Sequence, residues 1–308
     1  IKNHRNDEWT PVAGLSDGNK VFVWLHIPPG VTEFSMLPPY SYEDCAELVK
    51  RISDDPKVSV TIPGKSVEGR NLWLLKISEP GANEEQSALK RKCLIASRAH
   101  AGETAGNYCV EGILNYLFTD DKRADMYLQM FDIYICPMLN PDGVGNGVRR
   151  HFENRADLNR DIETNKQRTG SENDPELLCH FSIIDQLQPD IYAQIHNLYG
   201  EKHRDILLMA SPEHAEIFYG FMPSMEKHLK LFGVGMVNGG TIKHFCHKRD
   251  PSCVACDFEF PWFGRTPEDM RDVGKTALEA LLNTKIWVDR NPKGEYHCVH
   301  TLCRQLKD

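Results

Sequence analysis

No stretch of this 308-residue sequence approaches the roughly 20 consecutive apolar residues that a membrane span requires. Nor is positive charge in excess. Lys and Arg number 36 against 44 Asp and Glu, a net charge of -8, so the basic face needed for general nucleic-acid binding is missing. No internal repeat or low-complexity tract is visible. The 10 cysteines are an even number, but they are scattered over a chain too long to read as a disulfide framework. Cys93, Cys109, Cys136 and Cys179 sit inside apolar runs, where a free thiol behaves as a small hydrophobe. That usage fits a reducing, cytoplasmic setting. The first residue is Ile1 rather than Met, which reads as a trimmed or processed start, so a missing leader says little about compartment.

What is there is an ordinary globular composition, 41% hydrophobic and 26% charged. Residues 1–36 are irregular, apart from the β-like run "KVFVWLHI" (20–27), and read as an N-terminal extension or the remnant of a β accessory domain. From residue 37 to 308 strands and helices alternate. Glu43 to Ile52 predicts a helix, with Cys45, Leu48, Val49 and Ile52 at helical spacing. Apolar runs at 57–62, 71–77, 92–97, 131–139, 191–196, 205–210 and 254–260 predict strands, and 104–118, 175–187, 212–231 and 266–283 predict helices. The last of these starts clearly, with Thr266 as N-cap and Pro267 in its first turn. Such alternation predicts an α/β fold with a mostly parallel, buried sheet, whose ligands bind outside the carboxyl ends of the strands.

Four strand ends carry chemistry. His100 and Glu103 follow "KCLIAS"; "NPDGVGNGVRRHFENRADLNRDI" (140–162) follows the run at 131–139; "IYAQI" leads into His196; and Glu259 lies near the end of "VACDFEF". Two imidazoles and a carboxylate are a common catalytic zinc set, with a fourth position open for water. His100 and Glu103, on one turn after a strand, can reach the same ion, while His196 arrives from another strand. A second carboxylate, Glu259, beside Phe258, Phe260 and Trp262, would move the proton of a metal-activated water. Arg149 or Arg150 could stabilise an oxyanion, and Arg160 could clamp a carboxylate. Each element also has a bland reading. The sequence holds three His-x-x-Asp/Glu pairs, His196 alone reads as a core histidine, and "NPDG" is first of all a turn. From the residues alone, a metal-assisted hydrolase is as far as the reading goes.

The ordered set of "PYSY" (39–42), "HAGET", "NPDG" with Arg150 and "DLNR" (157–160), a strand-end histidine and a final "FEF" resembles the zinc metallocarboxypeptidases, and in particular their cytosolic branch. The resemblance covers about residues 38 to 285. It implies an α/β/α sandwich with a mixed, mostly parallel central sheet of about eight strands. It implies a hydrolase and protease binding one catalytic Zn2+ through His100, Glu103 and His196. Arg150 would polarise the scissile carbonyl, Asn159 and Arg160 would bind the terminal carboxylate, and Glu259 would serve as base and acid. The substrate implied is a peptide or protein C-terminus.

Three departures stand out. Segment 220–258 contains no tyrosine, where family members carry one that closes over the substrate. Only a remnant of the N-terminal β-domain would fit in residues 1–36. Ala101 stands where the branch has proline. "KHFCHKRDPSCVAC" (243–256) gathers three cysteines, two histidines and three cations. It reads as loop and strand packing, with a second zinc or a disulfide as rivals, and its Lys243, Lys248 and Arg249 suggest a taste for acidic C-terminal residues. Two further functions stay open: an amidase or deacylase for small acylated amino acids, and a non-catalytic zinc-dependent binding module.

Overall fold

The computed structural model describes residues 2–3, 9–10, 12, 14–16, 20–27, 29–80, 84–151, 157–159, 174–197, 205–221, 231–234, 241–262 and 264–291. Four two-residue strands come first: β1 (Lys2–Asn3) pairs with β4 (Thr32–Glu33), and β2 (Leu15–Ser16) with β3 (Val21–Phe22). The run 20–27 is therefore not one long strand. Among the described residues its ladder is Val21–Phe22 against Leu15–Ser16.

Eight strands form the main sheet: β5 (Val58–Lys65), β6 (Asn71–Ile77), β7 (Arg91–Ser97), β8 (Phe131–Cys136), β9 (Ile191–His196), β10 (Asp205–Met209), β11 (Leu231–Val234) and β12 (Val254–Glu259). Their spatial order is β11-β10-β12-β9-β7-β8-β6-β5. Strands β8, β7, β9 and β12 run parallel through the middle, and β10 and β11 are parallel to each other. The β10–β12, β6–β8 and β5–β6 pairings are antiparallel. The sheet is mixed and mostly parallel, as the sequence predicts.

Described helices are α1 (Tyr42–Ile52), α2 (Glu84–Leu89), α3 (Ala105–Leu117), α4 (Lys122–Met130), α5 (Pro141–Gly145), α6 (Pro175–Leu187), α7 (Pro212–Phe221), α8 (Ile242–Arg249) and α9 (Pro267–Arg290). Side chains alternate across the strands, and this makes the layers. On β7, Cys93 and Ile95 join the core under α3, α7 and α9, while Leu94 and Ala96 join the core under α6 and α8. Each fully buried Ile, Leu, Val or Phe contributes about 1.5–3 kcal/mol.

Local signals set the helix starts. Ser41 and Asp44 form a reciprocal capping box at α1, and Thr266 and Asp269 form another at α9, with Pro267 in its first turn. Helix α9 crosses α3 at glycines: a Cβ on Gly112 would overlap the Arg271 backbone, and one on Gly274 the Cys109 backbone. Two expectations are corrected. Of the helix predicted over 212–231, the described residues Pro212–Phe221 are helical, residues 222–230 lie outside the described residues, and Leu231, its last position, opens a strand beside β10, Leu231–Val234. Segment 243–256, read as loop and strand, holds most of helix α8 before it enters β12.

Candidate active site

Strands β7, β9 and β12 are parallel, with β9 between the other two, so the residues at their carboxyl ends share one rim. The register sets Glu259 opposite His196. The loop after β7 returns His100 and Glu103 to that rim. Its turn is held by two backbone bonds, Ala101 N to Arg150 O (3.1 Å) and Gly102 N to Arg149 O (2.8 Å). Asn140 caps α5 by accepting from Gly143 N at 2.9 Å, and its amide donates to Arg150 O at 3.0 Å. The "NPDG" turn thus also supports the arginine segment.

His100, Glu103 and His196 are buried, and one donor atom from each lies within 4.8 Å of the others. The two Glu103 oxygens are divided between the imidazoles, Oε1 at 2.9 Å from His100 Nδ1 and Oε2 at 2.8 Å from His196 Nδ1. The two Nδ1 atoms are 3.2 Å apart. On the far sides of the rings, His100 Nε2 meets Asp157 Oδ1 at 3.1 Å and His196 Nε2 meets Gln194 Oε1 at 2.8 Å. Asp157 can only accept, which places the His100 ring proton on Nε2 and turns its Nδ1 lone pair inward; a proton on His196 Nε2, donated to Gln194, would turn the second lone pair inward. Two lone pairs and a carboxylate facing one another repel unless a cation or a proton lies among them. The donor set fits zinc, which takes imidazole nitrogen and carboxylate oxygen and leaves a further position open.

With protons as the only positive charge, the ionisations are mutually dependent. Burial alone would raise the Glu103 carboxyl, but His196 and His100 outweigh it and bring it down to about 2. Burial alone would lower His196, but Glu103 outweighs it and lifts the imidazole to about 9. Glu259 is raised to about 7, first by burial and then by Glu103 and Asp257. A carboxyl tuned to that range can take and return a proton at neutral pH.

Arg150 grips Asp157 through two bonds to Oδ2, Nε at 2.8 Å and Nη2 at 2.5 Å. Asp157 therefore braces His100 with one oxygen and Arg150 with the other. Burial would raise its carboxyl, but His100, the Asn159 N–H and Arg150 hold it well below the usual carboxylate range. Asn159 is buried, and its amide nitrogen lies 2.9 Å from His196 Nε2. The expected positions His100, Glu103, His196, Glu259, Arg150 and Asn159 thus gather at one rim; Arg160 lies outside the described residues.

Sequence reasoning passed over Asp157, although "DLNR" contained the signal: an acidic residue two places before the expected carboxylate binder. It also passed over Gln194, which shares a strand face with His196. Lys243 was read as a pocket cation, but it is fully buried and ion-paired with Asp257. Arg249 pairs with Asp185 at 3.2 Å on the surface. Cys246, Cys253 and Cys256 are free and buried, with thiols pushed up by burial, to about 12 for Cys246. Among the described residues, His100, Glu103 and His196 are the one set placed to hold a metal.

This fold and this rim point to a class: residues 45–196 match the model of the zinc carboxypeptidase family. Among characterised proteins it is similar to cytosolic carboxypeptidase 2 of Xenopus tropicalis, 32% identical over 168 residues, which are 53% of this chain and 17% of that protein. It is also similar to cytosolic carboxypeptidase-like protein 5 of Danio rerio, 27% identical over 230 residues, 62% of this chain and 25% of the relative. The chain thus spans a quarter or less of the length of these two relatives. In fold it resembles a metallo-carboxypeptidase from Burkholderia cenocepacia, with a TM-score of 0.73, 22% identity and coverage of 91% of this chain and 77% of that one.

Proposed function

We propose that the chain is a zinc-dependent carboxypeptidase that hydrolyses the last peptide bond of a peptide or protein. The observation that carries this reading is the meeting of His100, Glu103 and His196, drawn from two segments 93 residues apart, with Glu259 on the adjoining strand. A zinc ion held there supplies Lewis acidity, which brings the pKa of a water down to about 7. Glu259 accepts the proton of the attacking water and returns it to the departing amine. Arg150, half-exposed at the rim, donates to the oxygen that gains charge as the carbonyl is attacked. Asn159 and Arg160 hold the terminal carboxylate and so confine cleavage to the last bond.

A preference for acidic last residues would draw on the basic segment before β12, where Lys248 and Arg249 are exposed, whereas Lys243 is fully buried against Asp257. A cytoplasmic setting is supported by the names of the two relatives. The division at residue 37 is supported by the short β1–β4 and β2–β3 ladders, which lie outside the main sheet.

The test is a profile of release rates from peptides differing only in the last residue, with C-terminally amidated peptides and N-acyl amino acids as controls. Free peptides should be trimmed and amidated ones spared. Cleavage of N-acyl amino acids alone would favour the amidase reading. Arg160→Ala should raise KM with kcat little changed, and an unchanged KM would remove it from the carboxylate clamp.

A further inference from the structure

We propose that Arg98 is the positioning residue that holds the loop from His100 to Glu103 in its ligating shape, by clamping the Ala101 carbonyl to the entry segment and to α3. The inference rests on the zinc-site reading above and adds a residue that touches neither ion nor substrate.

Arg98 follows β7 directly and is 3% exposed, so its guanidinium is committed to the interior. Its fork has three protein acceptors. Nε and Nη2 donate to Ala101 O at 3.0 and 2.6 Å; Nη1 donates to Asn107 Oδ1 at 2.7 Å and to Tyr40 O at 3.1 Å. Each acceptor belongs to a different part: the ligand loop, the first turns of α3, and the segment leading into α1. Asn107 in turn donates to Pro137 O at 2.8 Å, which ties α3 to the end of β8.

Ala101 and Gly102 are the two residues between the ligands, and glycine there leaves the turn intrinsically loose. The Ala101 peptide is gripped on both sides, its N–H by Arg150 O and its carbonyl by Arg98. The backbone at Arg98 adds a second sign. Its φ of 56° lies in the left-handed region that non-glycine residues rarely occupy. A position better suited to glycine for backbone reasons carries arginine, and the three acceptors are what its side chain delivers. Lysine could not replace it, because one ammonium on a flexible stem cannot span acceptors set out for a planar fork.

The test uses that φ. Arg98→Gly suits the left-handed backbone and removes only the fork. Zinc affinity by chelator competition should weaken on the order of 10-fold. Amide exchange at Ala101 and Gly102 in the metal-free protein should quicken, and low-millimolar guanidinium should restore part of the zinc affinity. Arg98→Lys, a milder change in volume and charge, should also bind zinc more weakly than the parent. An unchanged zinc Kd in either variant, or a lowered Tm with zinc affinity and loop exchange unmoved, would overturn the proposal and reduce Arg98 to core packing. If Arg98→Gly does not fold, Arg98→Lys decides by the same readouts. Should the parent itself fail to bind zinc, the ligand assignment falls, while the exchange rates in the metal-free protein still decide the clamp.

Discussion

Asp157 meets His100 Nε2 with one carboxylate oxygen and the Arg150 fork with the other. That single side chain fixes the tautomer of a ligand and the aim of the arginine beside it. Asp157→Asn keeps the shape but weakens both contacts. Zinc affinity should fall about 10- to 100-fold, read by chelator competition. kcat should fall further than metal occupancy explains, because Arg150 loses its anchor.

Glu259→Gln should leave zinc affinity near that of the parent and cut kcat about 10²- to 10⁴-fold, the usual contribution of a positioned acid–base group. In the parent the ionised carboxylate is the active form, so kcat/KM should rise with pH. The carboxyl stands near 7 without a cation, and positive charge in the triad lowers it. The acid limb should therefore lie at or below about 7, and it should vanish in the Gln variant. A residual rate close to that of the parent would move the base elsewhere.

The metal-free protein should have a stability optimum on the acid side of neutrality. Glu103, lowered from 4.5 to about 2, contributes stability that is present above pH 4.5 and lost as pH falls towards 2. His196, raised from 6.5 to about 9, contributes stability that is full below 6.5 and lost as pH rises through 9. Urea unfolding of chelator-treated protein should therefore peak between these windows. Adding zinc should reverse the alkaline limb, because deprotonated imidazole is the metal ligand.

Lys243 and Asp257 form a buried pair, and breaking it from one side should cost more than removing it. Asp257→Asn strands a buried ammonium and should lower unfolding free energy by about 3–5 kcal/mol. The double variant Lys243→Met, Asp257→Asn should recover most of that loss in denaturant titrations.

Gly112→Ala and Gly274→Ala each drive a methyl into backbone of the facing helix. Each should destabilise the protein by about 1–3 kcal/mol or more, seen as a lower midpoint in denaturant. Zinc affinity of the folded protein should stay near that of the parent, since α3 and α9 cross away from the rim.

Much of the fold could be read from the chain because its central strands are buried on both faces. "NLWLLKI" and "IYAQIH" are strands over their full length, and α6 spans its expected residues. The ligand triad was legible for a related reason: ligands placed just after buried strands follow the sheet, and the sheet follows the apolar runs. Helix α8 was hidden because the fully buried Lys243 breaks its apolar spacing, and only Asp257, distant in sequence, makes that burial tolerable. Strand β11 was not predicted, and only its first residue, Leu231, fell in the expected helix over 212–231, since a short edge element carries little periodicity of its own. Asp157 was visible as a letter, but nothing local reveals that it reaches a histidine 57 residues away.

The peptide groups of Ala101 and Gly102 rest on the carbonyls of Arg150 and Arg149. The cation seat and the guanidinium at its rim are therefore mounted on one bracket. When this part of the molecule rocks, the gap between electrophile and seat is carried along rather than stretched. A graft that moved either segment alone into another scaffold would inherit its side chains but lose their spacing.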